Sequence, residues 1–174
     1  LGLLKMDFLA LKTLTVIAQT HSQITSQLGV TLDMDELDLS DPKTFSLFCK
    51  GKTSGIFQFE SDGMREHLKR LKPNCLADLI AMNALYRPGP MANIPEFIAR
   101  KNGDSPIDYI HPSLKSILRE TYGIIVYQEQ VMQISQIIGG FTLAQGDMLR
   151  RAMGKKKAEI MAAFKVDFVD GFAM

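Results

Sequence analysis

Apolar residues recur at spacings of three and four over most of the chain, and the breaks between such runs fall at glycine or proline. Leu11, Leu14, Ile17, Ala18, His21, Ile24 and Leu28 form the first run and Gly29 closes it, which predicts an amphipathic helix of about 18 residues. Asp41 before Pro42 signals a short helix to about Lys50, stopped by Gly51. Met64, Leu68 and Leu71 mark a third stripe that ends near Pro73, and "LADLIAMNAL" continues in the same period. Further helices are predicted from about Pro95 to Lys101, within "HPSLKSILRETYG" with Ser113 or His111 near its start, and within "IIVYQEQVMQISQIIGG" after two or three extended residues. Thr142 and Gln145 are spaced as a capping box that opens a helix running to Gly154, and Ile160, Phe164 and Phe168 mark the last.

Two segments depart from this period. In "LLKMDFL" only Lys5 and Asp7 are polar, two apart, so both face one way if the segment is a strand with its other face buried. "GIFQFES" reads as a short strand or an extended link. The two prolines of "YRPGPM" remove amide donors and fix the backbone, while Gly89 lets it turn, so a stiff loop is expected there. The expected fold is mainly α, with a short N-terminal strand and minor β. The opening "LGLLKMDFL" reads as the middle of a strand, which suggests a piece of something larger.

Composition narrows the function classes. At 174 residues and 46% hydrophobic content the chain can bury a core. Cys49, Cys75 and the three histidines are scattered without ligand spacing, which argues against a zinc site or a disulfide framework. No apolar run reaches the roughly 18 residues of a membrane span, and no signal peptide opens the chain, so a cytoplasmic protein without a membrane partner is expected.

Charge changes the picture more sharply. There are 20 Lys+Arg against 19 Asp+Glu, yet Arg150, Arg151, Lys155, Lys156 and Lys157 crowd into one stretch, "DMLRRAMGKKK". Cations in a helix's last turn complement its dipole, and a lysine run is commonly a solvated face. Two arginines before Gly154 and three lysines after it can also converge on one anion, and the arginine fork suits phosphate oxygens. Without the glycine pattern of a P-loop, such binding would come from side chains. Asp7 beside Lys5 is a surface pair by spacing alone; at the end of a buried strand its carboxylate would need a cation or a metal. Magnesium takes one or two carboxylates together with substrate phosphates, so the acid and the basic cluster suit phosphoryl or nucleotidyl transfer. Arg87, Tyr122, Tyr127 and Gln128 read as turn, core or helix-start residues that could also face a nucleic-acid backbone.

Five stretches in order, "GLLKMDFLALKTL", "GIFQFESDGM", "ALYRPGPM", "ETYGIIVYQEQVMQI" and "LRRAMGKKK", resemble the alpha subunits of bacterial DNA polymerase III, the C-family replicative polymerases. The resemblance covers essentially the whole chain. It implies that residues 1–10 form the C-terminal edge of the palm and residues 11–174 most of the fingers. It also implies that Asp7 is one of three catalytic aspartates holding two magnesium ions, the other two lying in an upstream Asp-x-Asp motif, so that this piece alone is inactive. Lys5, Arg150, Arg151 and Lys155 match positions that hold the triphosphate of the incoming deoxynucleoside triphosphate. The implied partners are primer-template DNA, the nucleotide, the rest of the polymerase chain and replisome subunits such as the sliding clamp. The competing reading is a non-catalytic helical module that binds DNA or a protein through the basic cluster.

Overall fold

The computed structural model describes residues 2–154 and 158–172, and the chain divides into two compact units, Leu1–Asp41 and Pro42–Met174. In the first unit, residues 2–11 carry no regular secondary structure and lead into α1 (Lys12–Leu28), which Gly29 terminates in the left-handed region at φ 66°. None of the residues of α1 is buried, although its apolar stripe has the expected period. Residues 31–34 fold back beside it: His21 Nε2 donates to the Leu32 carbonyl at 2.8 Å, and Leu14, Ile17, Ala18, Leu32 and Met34 line an open groove.

In the second unit the chain forms α2 (Pro42–Cys49), α3 (Asp62–Leu71), α4 (Leu76–Leu85), α5 (Ile94–Asn102), α6 (Lys115–Leu118), α7 (Gln128–Ile137), α8 (Leu143–Gly154) and α9 (Ala158–Phe172). The third helix shows how sequence sets a boundary. Ser61 Oγ accepts the Met64 N–H at 3.3 Å, Asp62 sits in the first turn, and Lys69 and Arg70 sit in the last, so cap and charges all complement the helix dipole. Its inward stripe of Met64, Leu68 and Leu71 is fully buried. These side chains meet Phe45 and Phe48 of α2, Leu79, Met82 and Leu85 of α4, and Ile94, Phe97 and Ile98 of α5 in the main core. Each fully buried side chain of this size is worth about 1.5–3 kcal/mol relative to exposure, and this shared burial holds α2 to α5 together. A smaller core gathers Phe141, Leu149, Ala152 and Phe164, with Val131, Met161 and Phe168 against it, and joins α7, α8 and α9.

The mainly α expectation holds, but no strand forms among the described residues. At the N-terminus the expected strand does not form because a strand is stabilised by its ladder, and among the described residues its unit holds no second strand to pair with. "GIFQFES" folds as successive turns: Gln58 adopts φ 65°, outside the strand region, while the Ile56 and Phe59 N–H groups bond the Thr53 and Ile56 carbonyls. The helix predicted in "HPSLKSILRETYG" is shorter than expected, a 3-10 turn at Pro112–Leu114 followed by α6 alone, with His111 Nδ1 accepting the Ser113 N–H as a cap. The proline segment interrupts the helices as expected: Gly89 turns the backbone at φ 102°, and Pro90–Asn93 forms a 3-10 turn leading directly into α5.

Candidate functional site

The last stretch of α8 carries the two arginines of the basic cluster, and its start is fixed by both halves of the capping box. The Thr142 N–H donates to Gln145 Oε1 at 2.8 Å, and the Gln145 N–H donates to Thr142 Oγ1 at 3.3 Å. Leu149 and Ala152 turn into the smaller core, so Arg150 and Arg151 are held on the solvent side of a seated helix.

Adjacent residues on a helix point about 100° apart, and two guanidinium groups repel. Here one carboxylate reconciles them. Asp147 stands three residues before Arg150 and four before Arg151, the two spacings that share a helix face. Its Oδ1 accepts from Arg150 Nε at 3.0 Å and Nη2 at 2.7 Å, and its Oδ2 lies 2.8 Å from Arg151 Nε. Arg150 Nη1 also donates to Gln128 Oε1 at 3.2 Å, which ties α8 to the first residue of α7. The Arg150 hydrogen bonds, reinforced by the charges of both arginines, hold the Asp147 carboxyl below its ordinary value, so it is an anion at neutral pH. One carboxylate against two guanidinium groups leaves the trio with a net positive charge. Arg151 is the more open, with 67% of its side chain exposed against 32% for Arg150.

The segment before α7 is locked by a buried polar network. Gln130 is 5% exposed; its Oε1 accepts the Val126 and Tyr127 N–H groups at 2.8 and 3.0 Å. Its Nε2 donates to Thr121 Oγ1 at 2.9 Å and to the Ile117 carbonyl at 3.3 Å, joining this segment to α6. Tyr122 donates its hydroxyl to Asp78 Oδ1 at 2.9 Å, and Tyr127 packs against the main core. Burial pushes the Tyr127 phenol up to about 12 and raises that of Tyr122 as well, helped there by the Asp78 charge. These two tyrosines are therefore framework, while Gln128 reaches the arginines. Arg87 is exposed beside the proline loop.

The other candidates divide by unit. Lys5 and Asp7 lie in the first unit, both exposed, and no ion pair joins them among the described residues. The burial expected around Asp7 is not met there, because Phe8 and Leu9 on its C-terminal side are 91% and 99% exposed with nothing in their own unit to cover them. Asp7 offers the hard oxygen donor that magnesium takes, yet a single carboxylate does not complete a site. Among the described residues no three His, Cys, Asp or Glu side chains gather to do so. Lys155, Lys156 and Lys157 lie outside the described residues. Asp147 and Gln128 are the site's additional members. Asp147 went unread in the sequence although the D-x-x-R-R spacing carries its signal, whereas the Gln128 contact joins positions 22 apart and has no local signal.

Residues 13–174 match the family model of the bacterial DNA polymerase III alpha subunit finger domain. The chain is 56% identical to the DNA polymerase III subunit alpha of Bacillus subtilis over 171 residues, 54% to that of Borreliella burgdorferi over 170 and 52% to that of Aquifex aeolicus over 173. Each alignment covers 98% of this chain and 15% of the relative, so the chain spans about 15% of the length of the proteins it matches. No helix among the described residues is long and apolar enough to cross a membrane.

Proposed function

Because the chain belongs to the bacterial DNA polymerase III alpha subunit finger-domain family, we propose that it is the nucleotide-gripping part of a replicative DNA-directed DNA polymerase acting in the cytoplasm. The observation that carries this reading is the arginine pair at the end of α8, ordered on a common carboxylate with most of Arg151 open to solvent. Guanidinium groups bind phosphate oxygens through fixed N–H forks, and fixed cations stabilise charge that builds on a leaving pyrophosphate without reorganising. Arg150 and Arg151 hold the triphosphate of the incoming deoxynucleotide, with Lys155 following in sequence and Lys5 contributing from the segment around Asp7.

In this reading residues 1–10 are the edge of the palm, and the partners are primer-template DNA, the rest of the polymerase chain and replisome subunits such as the sliding clamp. Asp7 supplies one ligand of a two-magnesium site whose other carboxylates belong to the rest of the polymerase. Magnesium there, when bound, supplies charge compensation for in-line displacement at the α-phosphorus. The isolated piece, holding one of those ligands, is inactive.

The test uses the intact polymerase subunit. Arg151→Ala removes a charge-assisted contact worth about 1.5–3 kcal/mol, so the apparent KM for nucleotide is expected to rise about tenfold or more in steady-state primer extension. Asp7→Ala is expected to abolish turnover while primer-template binding survives. An unchanged nucleotide KM in the first variant removes the arginine from the site; near-normal turnover in the second removes Asp7.

A further inference from the structure

We infer that Asp147 is a positioning residue for nucleotide capture: it holds the Arg151 side chain by its Nε so that the terminal N–H groups face outward as a preset fork for phosphate. The inference rests on the proposed nucleotide-binding role of the arginines and adds a residue to it.

The division of hydrogen bonds carries the argument. Arg150 spends donors from all three of its nitrogens inside the protein, two on Asp147 Oδ1 and one on Gln128 Oε1. It thereby braces α7 against α8, with one N–H on each terminal nitrogen left for the triphosphate. Arg151 has one polar contact among the described residues, the ion pair that brings its Nε to 2.8 Å from Asp147 Oδ2, and its side chain is 67% exposed. Both terminal nitrogens are unengaged among the described residues, and these are the pair that engage two oxygens side by side. An arginine on a helix surface otherwise samples many rotamers, and ordering it on binding would cost entropy. A carboxylate four residues earlier removes part of that cost beforehand.

The opposite role for Asp147 is that of a mere competitor, an anion that the triphosphate must displace. Geometry favours positioning, because the contact at Nε leaves the terminal edge of the exposed Arg151 guanidinium clear of Asp147, and this ion pair need not break when an anion arrives there. The two roles predict opposite signs for loss of the charge.

Steady-state primer extension by the intact polymerase subunit separates them, with Asp147→Asn, Arg151→Ala and the double variant compared with wild type. Asn is nearly isosteric but presents an N–H donor where one arginine needs an acceptor. The expected result for Asp147→Asn is a nucleotide KM raised ~5-fold with kcat changed less than ~2-fold, the mark of a binding group set off its geometry. In the Arg151→Ala background the same change should add little, because the side chain it positions is gone. A KM unchanged or lowered in Asp147→Asn overturns the inference, as does full additivity in the double variant. If Arg151→Ala itself leaves the KM unchanged, the nucleotide-binding reading falls with it. A raised KM in Arg151→Ala alongside a normal one in Asp147→Asn sinks the positioning role alone. Should the Asn variant fail to fold, Asp147→Glu keeps the charge and moves the carboxylate outward by one methylene. A raised KM in that variant supports positioning, and a wild-type KM overturns it.

Discussion

Asp78 is the most consequential buried charge in the second unit, and removing it is expected to cost the fold about 3 kcal/mol. It sits in α4 at 2% exposure and accepts from three directions: the Asn74 N–H at 3.1 Å, the Tyr122 hydroxyl at 2.9 Å and the Lys101 ammonium at 3.2 Å. Lys101, on α5, has a side chain only 8% exposed. Breaking a buried ion pair from one side typically costs about 3–5 kcal/mol, because the remaining charge is stranded. Here the lower end applies. In Asp78→Ala the ammonium keeps the Lys72 carbonyl at 3.3 Å and Asn74 Oδ1 at 3.2 Å, so it is not left bare. For a chain of this length, 1 kcal/mol corresponds to about 2–4 °C, so the midpoint of thermal unfolding followed by circular dichroism should fall about 6–12 °C. Lys101→Met should cost a similar amount, since the carboxylate then keeps neutral donors, among them the Asn74 N–H and the Tyr122 hydroxyl, in place of its cation. The double change to Asp78→Leu with Lys101→Met should cost clearly less than the two single losses together, because neither charge is then stranded. A loss below about 1 kcal/mol in Asp78→Ala would show that water already reaches the pair and would refute the reasoning.

Two further outcomes follow from the same packing. A β-carbon on Gly171 would run into the Gly139 carbonyl, so Gly171→Ala should destabilise the seat of α9 by about 1–3 kcal/mol, seen as faster amide exchange in α9 with α3 and α4 unaffected. Tyr127 should ionise at about pH 12, as the phenolate absorbance lost in Tyr127→Phe. Because that folded value lies above the ordinary one near 10, its contribution to stability is complete below pH 10 and disappears as pH rises towards 12; if the component lost in Tyr127→Phe is centred near 10 instead, the burial is contradicted.

How far the fold was legible depended on the range of the interactions that decide each element. Helices whose start and stop signals are local were placed within a residue or two: α1 ends at Gly29, α5 at Gly103, and α8 opens on Thr142 and Gln145. Each of these signals is a hydrogen bond or a φ value satisfied within four residues, so nothing distant can overrule it. "GIFQFES" misled because its alternating aromatic residues match a strand, whereas the positive φ of Gln58 is imposed by the turn that Thr53 Oγ1 closes on the Phe59 carbonyl. The N-terminal strand depends on a partner, and no periodicity within seven residues can supply one.

The site divides along the same line. The arginine pair was evident from residue type, its phosphate chemistry being the proposal made above, and the carboxylate that orders it was within reach of the i, i+3, i+4 rule. What local spacing could not reveal is how the arginine pair is tied to the core. Asp78 reads as one more polar position in "LADLIAMNAL", yet its hydroxyl donor Tyr122 lies 44 residues on, beside Thr121, whose side chain accepts from Gln130. Gln130 in turn caps the start of α7, where Gln128 meets Arg150. Side chains that present a charge in a fixed direction need rigid backing, and in this fold a chain of contacts runs from a buried ion pair through a capped helix start to the Arg150 guanidinium. The burial of Asp78 and Gln130 far from the arginines is therefore intelligible as part of the same construction: the polar groups most costly to bury stand where they fix the segment that carries Gln128.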